Sequence, residues 1–140
     1  MIRSIRALAP ILFLTALSLA GCGGSDDSGT SGNTYAGNYT GSYNSEGIGD
    51  SGTVRSLTIS SNGEVSGTWH SASSNTDGTA SGTIQNNGSF SGSVTFGQNT
   101  SNLSGTFTPF SGTQTVGTIT QTQGGSTVTL TVTLNRLLQD

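Results

Sequence analysis

Beyond its N-terminal quarter the chain alternates apolar with polar residues in short runs, and each run ends at a turn signal. In the run EVSGTWHS, Val65, Gly67 and Trp69 share one parity and the polar residues share the other. Such alternation predicts strands with one buried and one solvated face. The Asn-Gly pairs at 62–63 and 87–88 supply the positive φ angles that tight hairpin turns require. Because no helical periodicity appears after residue 22, the pattern predicts about eight antiparallel strands.

A glycine interrupts the apolar face of most predicted strands. The unit apolar-x-Gly-x-apolar recurs, as in Tyr39-Gly41-Tyr43. A small closed barrel needs this arrangement, because its strands coil sharply and its interior cannot hold a large side chain from every strand at one level. We expect these glycines to permit the coil and to leave room for an aromatic ring from across the barrel. The structural glycines are Gly41, Gly67, Gly82, Gly92, Gly105 and Gly117.

The predicted fold is all-β: a single antiparallel up-and-down barrel over residues 35–137, which follows an N-terminal signal peptide and a flexible tether. Closure removes the exposed strand edges that a chain so poor in charge has few other ways to protect. Three other architectures remain open. They are a β-sandwich, a β-solenoid, whose glycine spacing would be more regular, and a membrane-spanning barrel, which would turn its apolar face outward.

Residues 1–21 have the features of an export signal. Arg3 and Arg6 give a positive start, and the apolar run that follows is shorter than a membrane-spanning helix requires. The motif Leu19-Ala20-Gly21-Cys22 resembles a bacterial lipobox. The resemblance implies that Cys22 becomes the acylated first residue of the mature chain and anchors it in a lipid bilayer.

Residues 22–34 are predicted to form the tether, because they are rich in glycine, serine and aspartate and carry nothing to bury. Glycines rather than aspartate follow Cys22, which by the same resemblance fits the outer membrane of a Gram-negative cell, on its periplasmic or surface face. Cys22 is the only cysteine, so the chain cannot form an internal disulfide.

The charge balance restricts the partners. Without the leader, two arginines and seven acidic residues leave a side-chain charge of −5. Nucleic acids and anionic lipid surfaces are recognised by clustered lysine and arginine, so we expect neither as a partner. We expect no cofactor.

Candidate catalytic residues are few. Gly49-Asp50-Ser51-Gly52 matches the nucleophile loop of trypsin-like proteases in its letters, but the one histidine, His70, follows the serine instead of preceding it. A turn between the first two strands is the favoured interpretation. A lone imidazole also makes no metal site, and we expect His70 to be solvated. The carboxylates Glu46, Asp50, Glu64 and Asp77 are scattered over turns and strand starts, so no enzyme activity is predicted.

Six aromatic residues form the predicted interior, where they either line a ligand pocket or fill the core: Tyr39, Tyr43, Trp69, Phe90, Phe96 and Phe107. A filled core is favoured, since an eight-stranded barrel lies at the border between filled and hollow. Gly67-Thr68-Trp69 resembles the Gly-x-Trp of calycins, the class of lipocalins and avidins. There the tryptophan belongs to the first strand, so the resemblance concerns architecture and transfers no ligand-binding residue.

The functional hypothesis is a membrane-anchored, non-enzymatic interaction or structural module of the cell envelope. The alternative is a calycin-like binder of a small apolar ligand inside the barrel. A protein partner would be expected at the longest loops, near Asn44–Asp50 and Ser71–Asp77.

Overall fold

The computed structural model describes residues 32–47 and 49–139. Neighbouring strands pair antiparallel in chain order and β8 returns to β1, so the sheet closes into an eight-stranded up-and-down barrel. The predicted fold is thereby confirmed. The strands are β1 (Gly37–Glu46), β2 (Ser51–Ile59), β3 (Glu64–Ser71), β4 (Thr76–Ile84), β5 (Ser89–Phe96), β6 (Asn99–Ser111), β7 (Gln114–Gln123) and β8 (Ser126–Arg136). Among the described residues no helix is both long and apolar enough to cross a membrane.

The predicted signal peptide, Cys22 and the predicted tether as far as residue 31 lie outside the described residues. The Asn-Gly turns lie where the sequence places them, with Gly63 at φ +87° and Gly88 at φ +86°. Two connections are shorter than predicted. β1 extends to Glu46 and β4 begins at Thr76, so the β1–β2 connection comprises residues 47–50 and the β3–β4 connection comprises residues 72–75.

The mid-strand glycines allow adjacent backbones to approach closely. A Cβ on Gly41 would lie 2.0 Å from the carbonyl oxygen of Thr133, and one on Gly105 would lie 2.1 Å from that of Thr118. The expectation that rings reach these glycines from across the barrel is wrong, because they come from the neighbouring strand. Phe107 packs on its register partner Gly117, since cross-strand partners on one face are the nearest side chains.

The N-terminal segment closes one end of the barrel. Tyr35 precedes β1, is 5% exposed, and donates from its Oη to the carbonyl oxygen of Phe107 at 3.0 Å. Asn33 donates from its backbone N to Ser61 O and from Nδ2 to Ile84 O, both at 2.7 Å. We call this the closed end; it also carries the turns at 60–63, 85–88 and 112–113. The open end carries the connections at 47–50, 72–75, 97–98 and 124–125.

The apolar core fills the half of the barrel next to the closed end. Phe90 and Phe107 pack edge to face with ring centroids 5.7 Å apart. The void left between these rings and their neighbours is about 10 Å³ and is lined by Leu57, Ile59, Val65, Trp69, Ala80, Ile84, Phe90, Phe107, Ile119 and Leu134. That is at the lower limit for one water molecule, so this half is packed.

Candidate functional site: the open-end cavity

The other half of the barrel is hollow. A cavity of about 510 Å³ opens at the open end. Nine of its fifteen lining residues are polar, although the cavity lies inside a barrel with an apolar core. The lining residues are Tyr43, Asp50, Trp69, Ser71, Ser73, Ser74, Val94, Phe96, Asn99, Ser101, Gln121, Gln123, Ser126, Val128 and Leu130.

Tyr43 and Trp69 both line this cavity. Their ring centroids are 5.2 Å apart, and the planes are tilted by 30°. Trp69 also borders the packed half, so it separates the two. Both side chains are buried, at 5% and 4% exposure. Yet Tyr43 Oη and Trp69 Nε1 have no hydrogen-bond partner among the described residues. Nearly all buried polar groups are paired, so two orphans beside one cavity need an explanation.

Burial raises the pKa of Tyr43 above its ordinary value of 10.0. The nearby hydroxyl of Ser71 lowers the pKa of Tyr43, and the nearby Asp50 carboxylate raises it. Neither group is close enough and well enough aligned to form a hydrogen bond with the phenol. Tyr43 therefore remains a neutral hydroxyl, able to donate and to accept, throughout the physiological pH range.

Asp50 holds one side of the mouth. Its Oδ1 accepts hydrogen bonds from Ser73 Oγ at 2.6 Å and from Ser71 Oγ at 3.2 Å. Ser71 is buried at the end of β3, while Asp50 and Ser73 belong to the connections beside it. These contacts tie the β1–β2 and β3–β4 connections together and fix the carboxylate at the rim.

A polar wall faces the cavity from β6 and β7. Gln121 Nε2 donates to Ser101 Oγ at 2.9 Å, and Ser101 Oγ donates to Gln123 Oε1 at 3.3 Å. Ser101 is only 3% exposed. A buried hydroxyl that links two amides fixes the orientation of both, so the wall presents hydrogen-bonding groups in defined positions.

The six predicted interior aromatics divide among three places. Tyr43, Trp69 and Phe96 line the open-end cavity, whereas Phe90 and Phe107 lie in the packed half. Tyr39 lies toward the closed end, where its Oη donates to Tyr35 O at 2.7 Å and the guanidinium carbon of Arg136 lies 5.6 Å from its ring centroid. The favoured filled core thus describes only half of the barrel.

Sequence reasoning missed the polar wall. Ser101, Gln121 and Gln123 have the inward parity of Leu103 and Ile119 on their own strands. On several strands the inward-facing positions change from apolar to polar residues toward the same end of the barrel. That change is the sequence signal that could have identified the hollow end.

His70 lies on the outer surface and takes part in a small charged cluster. Its Nδ1 is 2.7 Å from Asp77 Oδ1, and Asp77 Oδ2 accepts from Arg55 Nη1 at 3.2 Å. The expected solvation of His70 is only part of its environment, since its side chain is 21% exposed and strand pairing places it opposite Asp77. The side chains of Arg55 and Asp77 are each 52% exposed, so this cluster contributes little stability.

The letters GDSG lie at the start of β2. Gly49 and Asp50 lie between β1 and β2, and Ser51 begins β2 on the exposed surface; among the described residues no hydrogen bond joins its hydroxyl to His70, whose Nδ1 contacts Asp77. Within the part of the chain that the structure describes, no three His, Cys, Asp or Glu residues are grouped to hold a metal ion.

No protein-family model, curated protein or solved structure matches the chain. The open-end cavity is the candidate functional site among the described residues.

Proposed function

We propose that this protein is an exported, lipid-anchored binding protein that holds a small molecule in the open-end cavity and catalyses no reaction on it. The observation that carries the proposal is the hollow half of the barrel, whose volume of about 510 Å³ falls among ligand pockets of about 300–1,000 Å³. An interaction or structural module would need no such cavity, so the ligand-binding hypothesis replaces it as the leading one.

The lining supports binding rather than catalysis. Among the described residues that line it, Asp50 is the one carboxylate, and there is no lysine, arginine, histidine or cysteine. Hydrolysis by acid and base groups commonly uses two carboxylates or a nucleophile with a base, and neither pair lines the cavity. The buried hydroxyls and amides instead provide the few fixed polar groups that orient a ligand.

The position of the N-terminal segment suits an anchored receptor. Asn33 is hydrogen-bonded at the closed end, eleven residues after Cys22 in the chain. A flexible linker of that length has a root-mean-square span of about 20 Å. An acylated Cys22 would therefore hold the closed end toward the bilayer, and the mouth would open away from it.

The anchor gives the first prediction. Replacement of Cys22→Ser removes the thiol that is acylated, so we expect the protein to move from the membrane pellet to the soluble fraction of the envelope. Cell fractionation and the mass of the mature N-terminus measure this. The closed-end control Ser89→Trp should remain in the pellet. Retention of the Cys22→Ser protein in the pellet would contradict anchoring through this residue.

Occupancy of the cavity gives the second prediction. In native mass spectrometry of the protein gently purified from its own envelope, we expect an additional stoichiometric mass. Ser126→Trp places a large ring at the mouth, where Ser126 is exposed and lines the cavity, and should abolish that mass.

The matched control for this substitution is Ser89→Trp, which also changes an exposed serine at the start of a strand but lies toward the closed end. It should retain the additional mass. A bare mass under several gentle extraction conditions would argue against the proposed function.

One observation favours a second candidate, an interaction module. Three large apolar side chains are strongly exposed among the described residues: Phe110, Leu137 and Leu138. Phe110 lies near the β6–β7 turn and the two leucines follow β8, so they share the closed end. Loss of a co-purifying protein on Leu138→Ser, with the cavity ligand retained, would support this candidate.

A further inference from the structure

We infer that the ligand of the open-end cavity is a neutral, hydroxyl-rich molecule of about the size of a mono- or disaccharide. This inference rests on the proposed function and names the ligand class for the same site. Three properties of the lining carry it: its charge, its wall of hydrogen-bonding groups, and its aromatic rings.

The charge of the lining argues against anionic ligands. The described residues of the lining include no lysine, arginine or histidine, and the carboxylate of Asp50 lies at the rim. A fatty acid or a phosphate ester would find no cation and would meet Asp50 with like charge, which is costly in a partly buried site. A carboxylate offers about four acceptor positions, and two hydroxyls bond to Oδ1 here. Positions remain for hydroxyl donors of a ligand.

The polar wall matches neighbouring hydroxyl groups. Gln121 donates to Ser101 from its Nε2, and Gln123 accepts from Ser101 at its Oε1. The Oε1 acceptor of Gln121 and the Nε2 donor of Gln123 take no part in these two hydrogen bonds. A hydroxyl group both donates and accepts. Adjacent hydroxyls on a sugar ring can therefore satisfy an acceptor and a donor that lie side by side, and Asn99 adds a third amide to the lining.

The aromatic part of the lining distinguishes a sugar from a hydrocarbon. Tyr43 and Trp69 present aromatic surface on which the C–H face of a sugar ring can pack, and each has a donor without a protein partner. Both donors are buried and have no hydrogen-bond partner among the described residues. A purely apolar ligand would leave these donors and the amides of the wall unpaired and desolvated.

Trp69 is the only tryptophan of the chain, so all tryptophan fluorescence comes from a residue that lines this cavity. The test uses the whole protein in liposomes and titrates it with glucose, galactose, mannose, N-acetylglucosamine, lactose and cellobiose. Toluene is the apolar probe and choline the cationic one. We expect a saturable change in Trp69 emission with at least one saccharide, and none with toluene or choline.

A matched pair of substitutions on β7 links that change to the wall. Gln121→Leu removes the amide from the cavity and should weaken saccharide binding about tenfold, as the loss of one hydrogen bond does. Gln114→Leu removes the same group near the closed end and should leave the affinity unchanged. Equal effects of the two variants would overturn the assignment of the wall to the ligand.

The other outcomes separate this inference from the proposed function. Saturable binding of toluene or choline, blocked by Ser126→Trp and without any saccharide response, would show a functional cavity with a different ligand class, and the inference would be wrong. No response to any probe, together with a bare mass in native mass spectrometry, would overturn both.

Discussion

Gly41→Ala is expected to destabilise the barrel by about 3 kcal/mol or more. The added Cβ would lie 2.0 Å from the carbonyl oxygen of Thr133 and 3.1 Å from the Cα of Leu134. These atoms belong to the backbone of β8, so no side-chain rotation relieves the clash, and the β1–β8 pairing must shift. Overpacking by one methyl group commonly costs about 1–3 kcal/mol where side chains can adjust. Thermal unfolding should show a melting temperature lower by at least about 10 °C.

Gly112→Ala is the matched control for this effect. A Cβ on Gly112 would meet nothing within 4 Å, and its backbone has no conformation that disfavours alanine. This variant should be neutral or slightly more stable, since alanine restricts the unfolded chain. If Gly41→Ala melted within 2 °C of Gly112→Ala, close strand approach at the mid-strand glycine would not be what the barrel requires.

The glycine pattern explains why so much of the fold could be predicted from the sequence. A glycine on the inward parity of consecutive strands has no use in an open sheet, so it indicates closure before any coordinate is known. Which strand supplies the aromatic ring that covers each glycine could not be predicted in the same way. It depends on register, and Phe107 reaches Gly117 because pairing places the two residues opposite one another.

The hollow half was harder to predict than the fold. Whether a barrel of eight strands is filled depends on how the large side chains are distributed along its axis, and alternation alone gives only their parity. Phe90 and Phe107 converge toward the closed end, while small or polar residues such as Ser101 take the equivalent positions toward the open end. Tyr35 shares the parity of Tyr39, yet it precedes β1 and closes the barrel from outside that strand.

Tyr35→Ala is expected to cost about 3–5 kcal/mol, the range for truncation of a buried aromatic side chain. Tyr35 is the ring that closes the packed half, and its hydroxyl donates to the carbonyl oxygen of Phe107. Its own carbonyl accepts from Tyr39 Oη, so the plug is bonded to the barrel in both directions. Truncation opens a cavity next to the core and leaves a backbone acceptor without its donor. Urea denaturation followed by circular dichroism measures the free energy of unfolding.

Tyr35→Phe separates the ring from the hydroxyl. It keeps the packing and removes only the bond to Phe107, so it should cost about 1 kcal/mol, well below the cost of Tyr35→Ala. If both variants unfolded at the wild-type urea concentration, residues 33–36 would not belong to the cooperative unit and would fray as chain termini commonly do. The expected ranking instead makes the N-terminal segment part of the barrel. Under the proposed anchoring through Cys22, this hydrogen-bonded segment would keep the closed end, rather than the mouth, next to the tether.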